Sequence, residues 1–133
     1  MNREYLNELS FGIIGCAMRV HNEFGPGLLE SVYMECMIYE LINRGYKFKI
    51  QELVPLKYDN ICLKSRMRLD ILVEDNIILE LKAVEAIHPI HVAQLLTYMK
   101  LSKKPKGLLI NFNTNRLKDS IRSLVNEYYA ELP

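Results

Sequence analysis

The sequence predicts an α/β domain in which helices pack around a mixed sheet, in the order ααβββαβα. Three observations predict it. Apolar residues recur at helical spacing through residues 3–43, and the period becomes strand-like from Lys47. A nearly all-apolar run at 106–112 has the character of a strand buried on both faces.

The elements follow in order. Leu6, Leu9, Ile13, Cys16, Ala17 and Val20 form one helical stripe, which predicts a helix over 3–23. Gly25-Pro26-Gly27 ends it, because two glycines and a proline do not continue an ordinary helix. A second helix is expected over about 28–43, with Leu29, Val32, Tyr33, Cys36, Met37 and Leu41 on its apolar face and Gly45 as its stop. Residues 47–58 alternate in part and read as a strand, where Pro55 argues for an edge position or a bulge. Asp59-Asn60 is a turn signal. Residues 61–73 and 77–84 make two further strands joined at Glu74-Asp75-Asn76. Pro89 starts a helix running to about 101, and 106–112 is the fourth strand. A final helix is expected over 116–129.

The chain has 133 residues, which suggests one domain, and half of them are apolar, enough for a real core. A net charge of +1 does not by itself argue for nucleic acid. The charge is uneven, however. Lys100, Lys103, Lys104, Lys106, Arg116, Lys118 and Arg122 are accompanied only by Asp119, and Lys64, Arg66 and Arg68 form a second basic stripe. These are either solvated faces or phosphate contacts. Cys16, Cys36 and Cys62 show no zinc spacing and read as small buried residues in a reducing cytoplasm. No signal-type run, membrane span or internal repeat is evident.

Asp70, Glu80 and Lys82 carry the chemistry. They stand in two apolar strands, where an unpaired buried charge is costly. Alternation puts Glu80 and Lys82 on one face with Ile78, and Ile77, Leu79 and Leu81 on the other. A two-residue turn at Asp75-Asn76 would pair position 70 with 81 and separate the acids. A three-residue turn pairs 70 with 80 and joins them. The second register is expected, with Asn76 as the left-handed residue such turns often need. Two carboxylates on one face suit a hard cation such as Mg²⁺. A metal there acidifies a water and polarises a phosphoryl oxygen, and Lys82 can position the water or neutralise developing charge. The set therefore suits metal-assisted phosphodiester hydrolysis. The plainer alternative is a Lys82–carboxylate salt bridge on a solvent-facing sheet.

Asp70, nine intervening residues and then Glu80-Leu81-Lys82 resemble the PD-(D/E)xK nuclease signature. Upstream, Gly27-Leu28-Leu29-Glu30-Ser31-Val32-Tyr33 resembles the motif of the GxxExxY family, a branch of that superfamily. Gln94-Leu95-Leu96-Thr97-Tyr98 resembles the QxxxY motif of RecB-like members, and Gly107 to Phe112 followed by Arg116-Leu117-Lys118 fits as well. The superfamily's frequent proline beside the first acid is absent, since Arg68-Leu69 precedes Asp70. The resemblance spans roughly residues 8 to 125.

It implies the restriction-endonuclease-like fold and a Mg²⁺- or Mn²⁺-dependent nuclease acting on DNA. Asp70 and Glu80 would bind metal, Lys82 would assist the water, and Glu30 would be an additional acid at the metal or its waters. Glu30 also stands in a first helical turn, where the dipole favours an anion. Tyr33, one turn on, is either a partner for a site carboxylate or a core residue. Gln94 and Tyr98 share a helix face that the resemblance puts at the substrate. His88 and His91 match no motif position and read as residues behind the site or at the surface, and His21, before the Gly-Pro-Gly turn, reads as capping or packing near that loop or else lining the cleft. Tyr128 and Tyr129 could stack on bases, and the plainer reading is packing of a terminal helix on the core. No membrane contact is expected, and a homodimer would suit a duplex with two strands to cut. Two rival readings stay open: a nucleic-acid-binding module that does not cut, and an interaction protein whose charged strand face meets another subunit.

Overall fold

The computed structural model describes all 133 residues. Asn2 caps the first helix, its side chain accepting from the Tyr5 amide at 2.8 Å, and α1 (Arg3–Phe24) presents Leu6, Leu9, Ile13, Cys16, Ala17 and Val20 to the core. Gly25 and Gly27 carry the chain round with φ of 64° and 106°, conformations that favour glycine. α2 (Glu30–Asn43) follows, burying Tyr33, Met37 and Leu41.

The strands are β1 (Phe48–Tyr58), β2 (Ile61–Val73), β3 (Ile77–Lys82), β4 (Lys106–Asn111) and β5 (Ile121–Val125), in spatial order β1-β2-β3-β4-β5. Neighbours are antiparallel except β3 and β4, which are parallel and joined through α3 (Pro89–Ser102) as a crossover. The sheet is mixed, as expected. α1 and α2 cover one face, over Ile71, Val73, Ile77, Leu79, Leu81, Leu108, Ile110 and Phe112. α3 covers the other with Leu95 and Met99, over Leu69, Leu72, Ile78 and Leu109. Gly107 permits that approach: a Cβ there would lie 2.8 Å from Met99 Sδ. The apolar face of β3 thus points at α1 and α2, and the face bearing Glu80 and Lys82 is the α3 side.

Pro55 fulfils both of its expectations. β1 is an edge strand, and its register with β2 shifts between Pro55 and Lys57. Asp59 and Asn60 form the tip turn, both left-handed.

Four expectations need correction. The final helix over 116–129 is not formed. A short 3₁₀ turn (Leu117–Ser120) leads into edge strand β5, and only α4 (Glu127–Ala130) is helical, capped by Asn126. Leu117, Ile121 and Leu124 do stand at helical spacing, but pairing with β4 from Lys106–Val125 to Ile110–Ile121 satisfies this backbone instead. The third strand stops at Lys82 rather than 84. In the β2–β3 turn, Glu74 and Asp75 are the left-handed residues, with φ of 49° and 59°, and Asn76 is not. Asn76 closes the turn instead, its amide donating to the Val73 carbonyl at 3.0 Å and its side chain to the Glu74 carbonyl at 2.7 Å. Of the cysteines expected to be buried, Cys16 is buried, but Cys62 lies exposed on β2, where only β1 pairs with that strand.

Candidate active site

The turn sets the register, and the register makes the site. Val73 pairs with Ile77, Leu72 with Ile78 and Ile71 with Leu79. The next pair is Asp70 and Glu80, as the three-residue turn requires. Here the ladder stops, and side chains take over from backbone. The Asp70 amide donates to Glu80 Oε1 at 3.3 Å, and the Leu81 amide donates to Asp70 Oδ2 at 2.9 Å. Each carboxylate thus spans to the opposite strand with one oxygen and keeps its second free of protein donors.

Glu80 is almost wholly buried, at 6% exposure, and Asp70 is half-buried. Burial pushes the Glu80 carboxyl up to about 8, and repulsion from Asp70 adds to it; the Asp70 amide and Lys82 oppose the rise. Glu30 is also raised by burial and by Asp70, against the pull of Lys82, the Ala83 amide and His91. Tyr98 is raised by burial and by the negative charge of Glu80 and Asp70. Glu30, Asp70, Glu80, Lys82 and Tyr98 therefore share one electrostatic neighbourhood, contributed by four elements. Lys82 is half-buried and forms no ion pair, so the salt-bridge alternative is not realised.

Not every expected residue arrives. The Tyr33 side chain is fully buried, and its hydroxyl donates to the Gly25 carbonyl at 2.6 Å and accepts from the Leu28 amide at 3.2 Å. Its ring stacks on Phe112 at 4.4 Å. It is a core tyrosine that fastens the loop leading to Glu30, so the second of its two expected roles is the one realised, and its engaged hydroxyl is offered to neither a site carboxylate nor substrate. Gln94 is exposed one turn before Tyr98 and makes no side-chain hydrogen bond within the chain. His88 and His91 cap α3, through the Ile90 amide at 3.1 Å and the His88 amide at 3.0 Å. His21 packs, its Nε2 2.7 Å from the Thr114 carbonyl.

One positioning residue escaped the sequence. Asn111 is buried beside Lys82 in register. Its side chain accepts from the Val84 amide at 3.0 Å and donates to the Val84 carbonyl at 2.9 Å. It pins the chain just past Lys82. The available signal was a lone amide ending an otherwise apolar strand.

The donor set can be tested against a divalent ion. No group of three or more His, Cys, Asp or Glu side chains is arranged to hold one, so Glu30 does not join Asp70 and Glu80 as a third ligand here. Two mutually repelling carboxylates with two spare oxygens remain. That fits a Mg²⁺-type ion, which binds through one or two carboxylates and completes its shell with water and substrate phosphate.

The family model described as the PD-(D/E)XK nuclease superfamily matches residues 7–124. The chain belongs to the PD-(D/E)XK nuclease superfamily. Its five-strand mixed sheet with flanking helices is consistent with the restriction-endonuclease-like fold of that superfamily. Nucleases of the PD-(D/E)XK superfamily generally use divalent metals, and membership implies a nucleic-acid substrate. No curated protein matches the chain significantly. No helix is long and apolar enough to cross a membrane.

Proposed function

We propose that the protein is a Mg²⁺- or Mn²⁺-dependent phosphodiesterase that hydrolyses DNA, in the GxxExxY branch of its superfamily. The observation that carries this reading is the opened β2–β3 junction. There two carboxylates face each other with free oxygens, beside a half-buried lysine that no acid neutralises.

A divalent ion on Asp70 and Glu80 supplies a Lewis acid and a more acidic water. The chain's own residues do the rest. Asp70 and Glu80 are each oriented by a backbone amide of the opposite strand, which leaves one oxygen of each carboxylate to take the ion. Lys82 meets the charge that builds on the phosphoryl oxygens. Glu30, at the exposed start of α2 just after the Tyr33-fastened loop, orders water at the attacking side. Tyr98 and Gln94 present one α3 face to the substrate. A water oxygen bonds to phosphorus and releases a proton to solvent, the bond to one bridging oxygen breaks, and the leaving oxygen takes a proton from solvent. The three cysteines are unpaired, which suits a reducing compartment such as the cytoplasm.

The test is cleavage of supercoiled DNA by purified protein with Mg²⁺ or Mn²⁺, with calorimetric Mn²⁺ binding as an independent readout. Lys82→Ala should lower the rate by roughly 10²–10³-fold while still binding Mn²⁺, the usual scale for one lost electrostatic donor. Asp70→Ala should lose both. Equal rates for wild type and Lys82→Ala would refute the enzymatic reading. Metal-independent DNA binding without cutting would favour a binding module.

A further inference from the structure

Both basic stretches of the sequence keep exposed cations, but only the later one spends part of its charge within the fold, leaving Lys100, Lys103, Lys118 and Arg122 exposed without an ion pair. In the later one, Lys104 is paired with Asp75 at 2.9 Å and Arg116 lies 3.6 Å from Asp119. Lys106 is buried, bonded to Asn7 and set over the Tyr129 ring. In the earlier one, Lys57, Lys64, Arg66 and Arg68 are all exposed and none forms an ion pair. The only acid between residues 53 and 69 is Asp59.

These four cations ride on the outer β1–β2 ribbon. β2 parts from β3 at Ile71, and beyond that point only β1 pairs with it. Every residue from 57 to 66 is exposed, including Tyr58 and Ile61 at the tip. At about 3.3 Å per residue, the tip lies roughly 30 Å along the strand from Asp70. Lys64, Arg66 and Arg68 alternate with Ser65 and Met67, so they form a row on one face, stepping about 6.6 Å. On the other face Met67 and Leu69 are buried. The row ends two residues before Asp70.

We infer that this ribbon lies in the major groove of duplex DNA, with Lys64, Arg66 and Arg68 set against the phosphates of one groove wall. The inference rests on the proposed nuclease reading and names the form of its substrate. A two-stranded ribbon fits the B-form major groove, about 12 Å wide. The deep, narrow major groove of A-form RNA does not admit it. One sign of charge on one face matches a polyanion carrying a charge every ~1.7 Å.

Binding is measured by fluorescence anisotropy without metal, so that nothing is cut, on DNA and RNA duplexes of roughly two helical turns. In a salt series, Lys64→Ala/Arg66→Ala should weaken DNA binding roughly tenfold or more and lower the slope of log K against log salt by about two. Duplex RNA should bind more weakly and be insensitive to the change. Circular dichroism confirms that the variant is folded. Unchanged DNA affinity and slope would overturn the inference. So would equal loss on RNA, a preference for single strands that Tyr58→Ala removes, or aggregation of the variant with unaltered binding, which would assign the cations to edge protection. Wild-type hydrolysis of bis(p-nitrophenyl) phosphate with Mn²⁺ is read separately. Its absence would sink the nuclease reading and leave the ribbon to be judged on the binding data.

Discussion

Glu80 shows what a single residue contributes. Its carboxyl is raised to about 8 from an ordinary value of 4.5, chiefly by burial and then by Asp70. The folded chain therefore holds this proton more tightly than the unfolded chain does, and between those two values the native state binds more protons. Stability contributed by this group is present at low pH and is lost as pH rises through that window. Metal-free wild type should melt at falling temperature as pH is raised from about 5 to 8. Glu80→Gln, which cannot ionise, should show a flatter profile. Added Mg²⁺ or Mn²⁺ should restore wild type more at the alkaline end. Parallel slopes for the two proteins would mean that another group carries the effect. The acid pair and the lysine were legible in the sequence, because alternation and turn length fix which side chains meet. The environment of Tyr33 was not: one helical turn from Glu30 says that two residues share a face, not that a hydroxyl is already committed to a loop behind them.

At the scale of elements, the helices α1 to α3, strands β1 to β4 and the 70–80 register could be read from periodicity and punctuation. Local pattern failed where tertiary pairing decided the outcome. Ile121-Arg122-Ser123-Leu124-Val125 is a strand because β4 offers it an edge, and Asn126 caps a helix that begins only after it. Asn111 showed in the sequence only as a lone amide ending an apolar strand, since its value lies in Val84, which folds back upon it. Asn111→Ala removes the acceptor of the Val84 amide and the shorter of two donors to its carbonyl, leaving Asn113 Nδ2 at 3.4 Å, and should cost roughly 1–3 kcal/mol in chemical denaturation. The same variant should lower nuclease activity further than this loss predicts, because the segment following Lys82 loses its anchor. Activity that tracks stability alone would reduce Asn111 to a packing role.

Across the whole molecule, rigidity is graded. β3 and β4 are central, paired on both sides and buried along nearly their whole length, whereas the outer ribbon is held only by its own hairpin. Amide hydrogen exchange should be slowest in β3 and β4 and fast over residues 57–66. Ribbon amides as protected as those of β4 would contradict that gradient. Because the tip turn at Asp59-Asn60 touches no core residue, chain can be added or removed there without disturbing any register further in. Reach is thereby uncoupled from the acid pair: this finger can be lengthened, trimmed or re-sequenced while the Asp70–Glu80 junction stays intact.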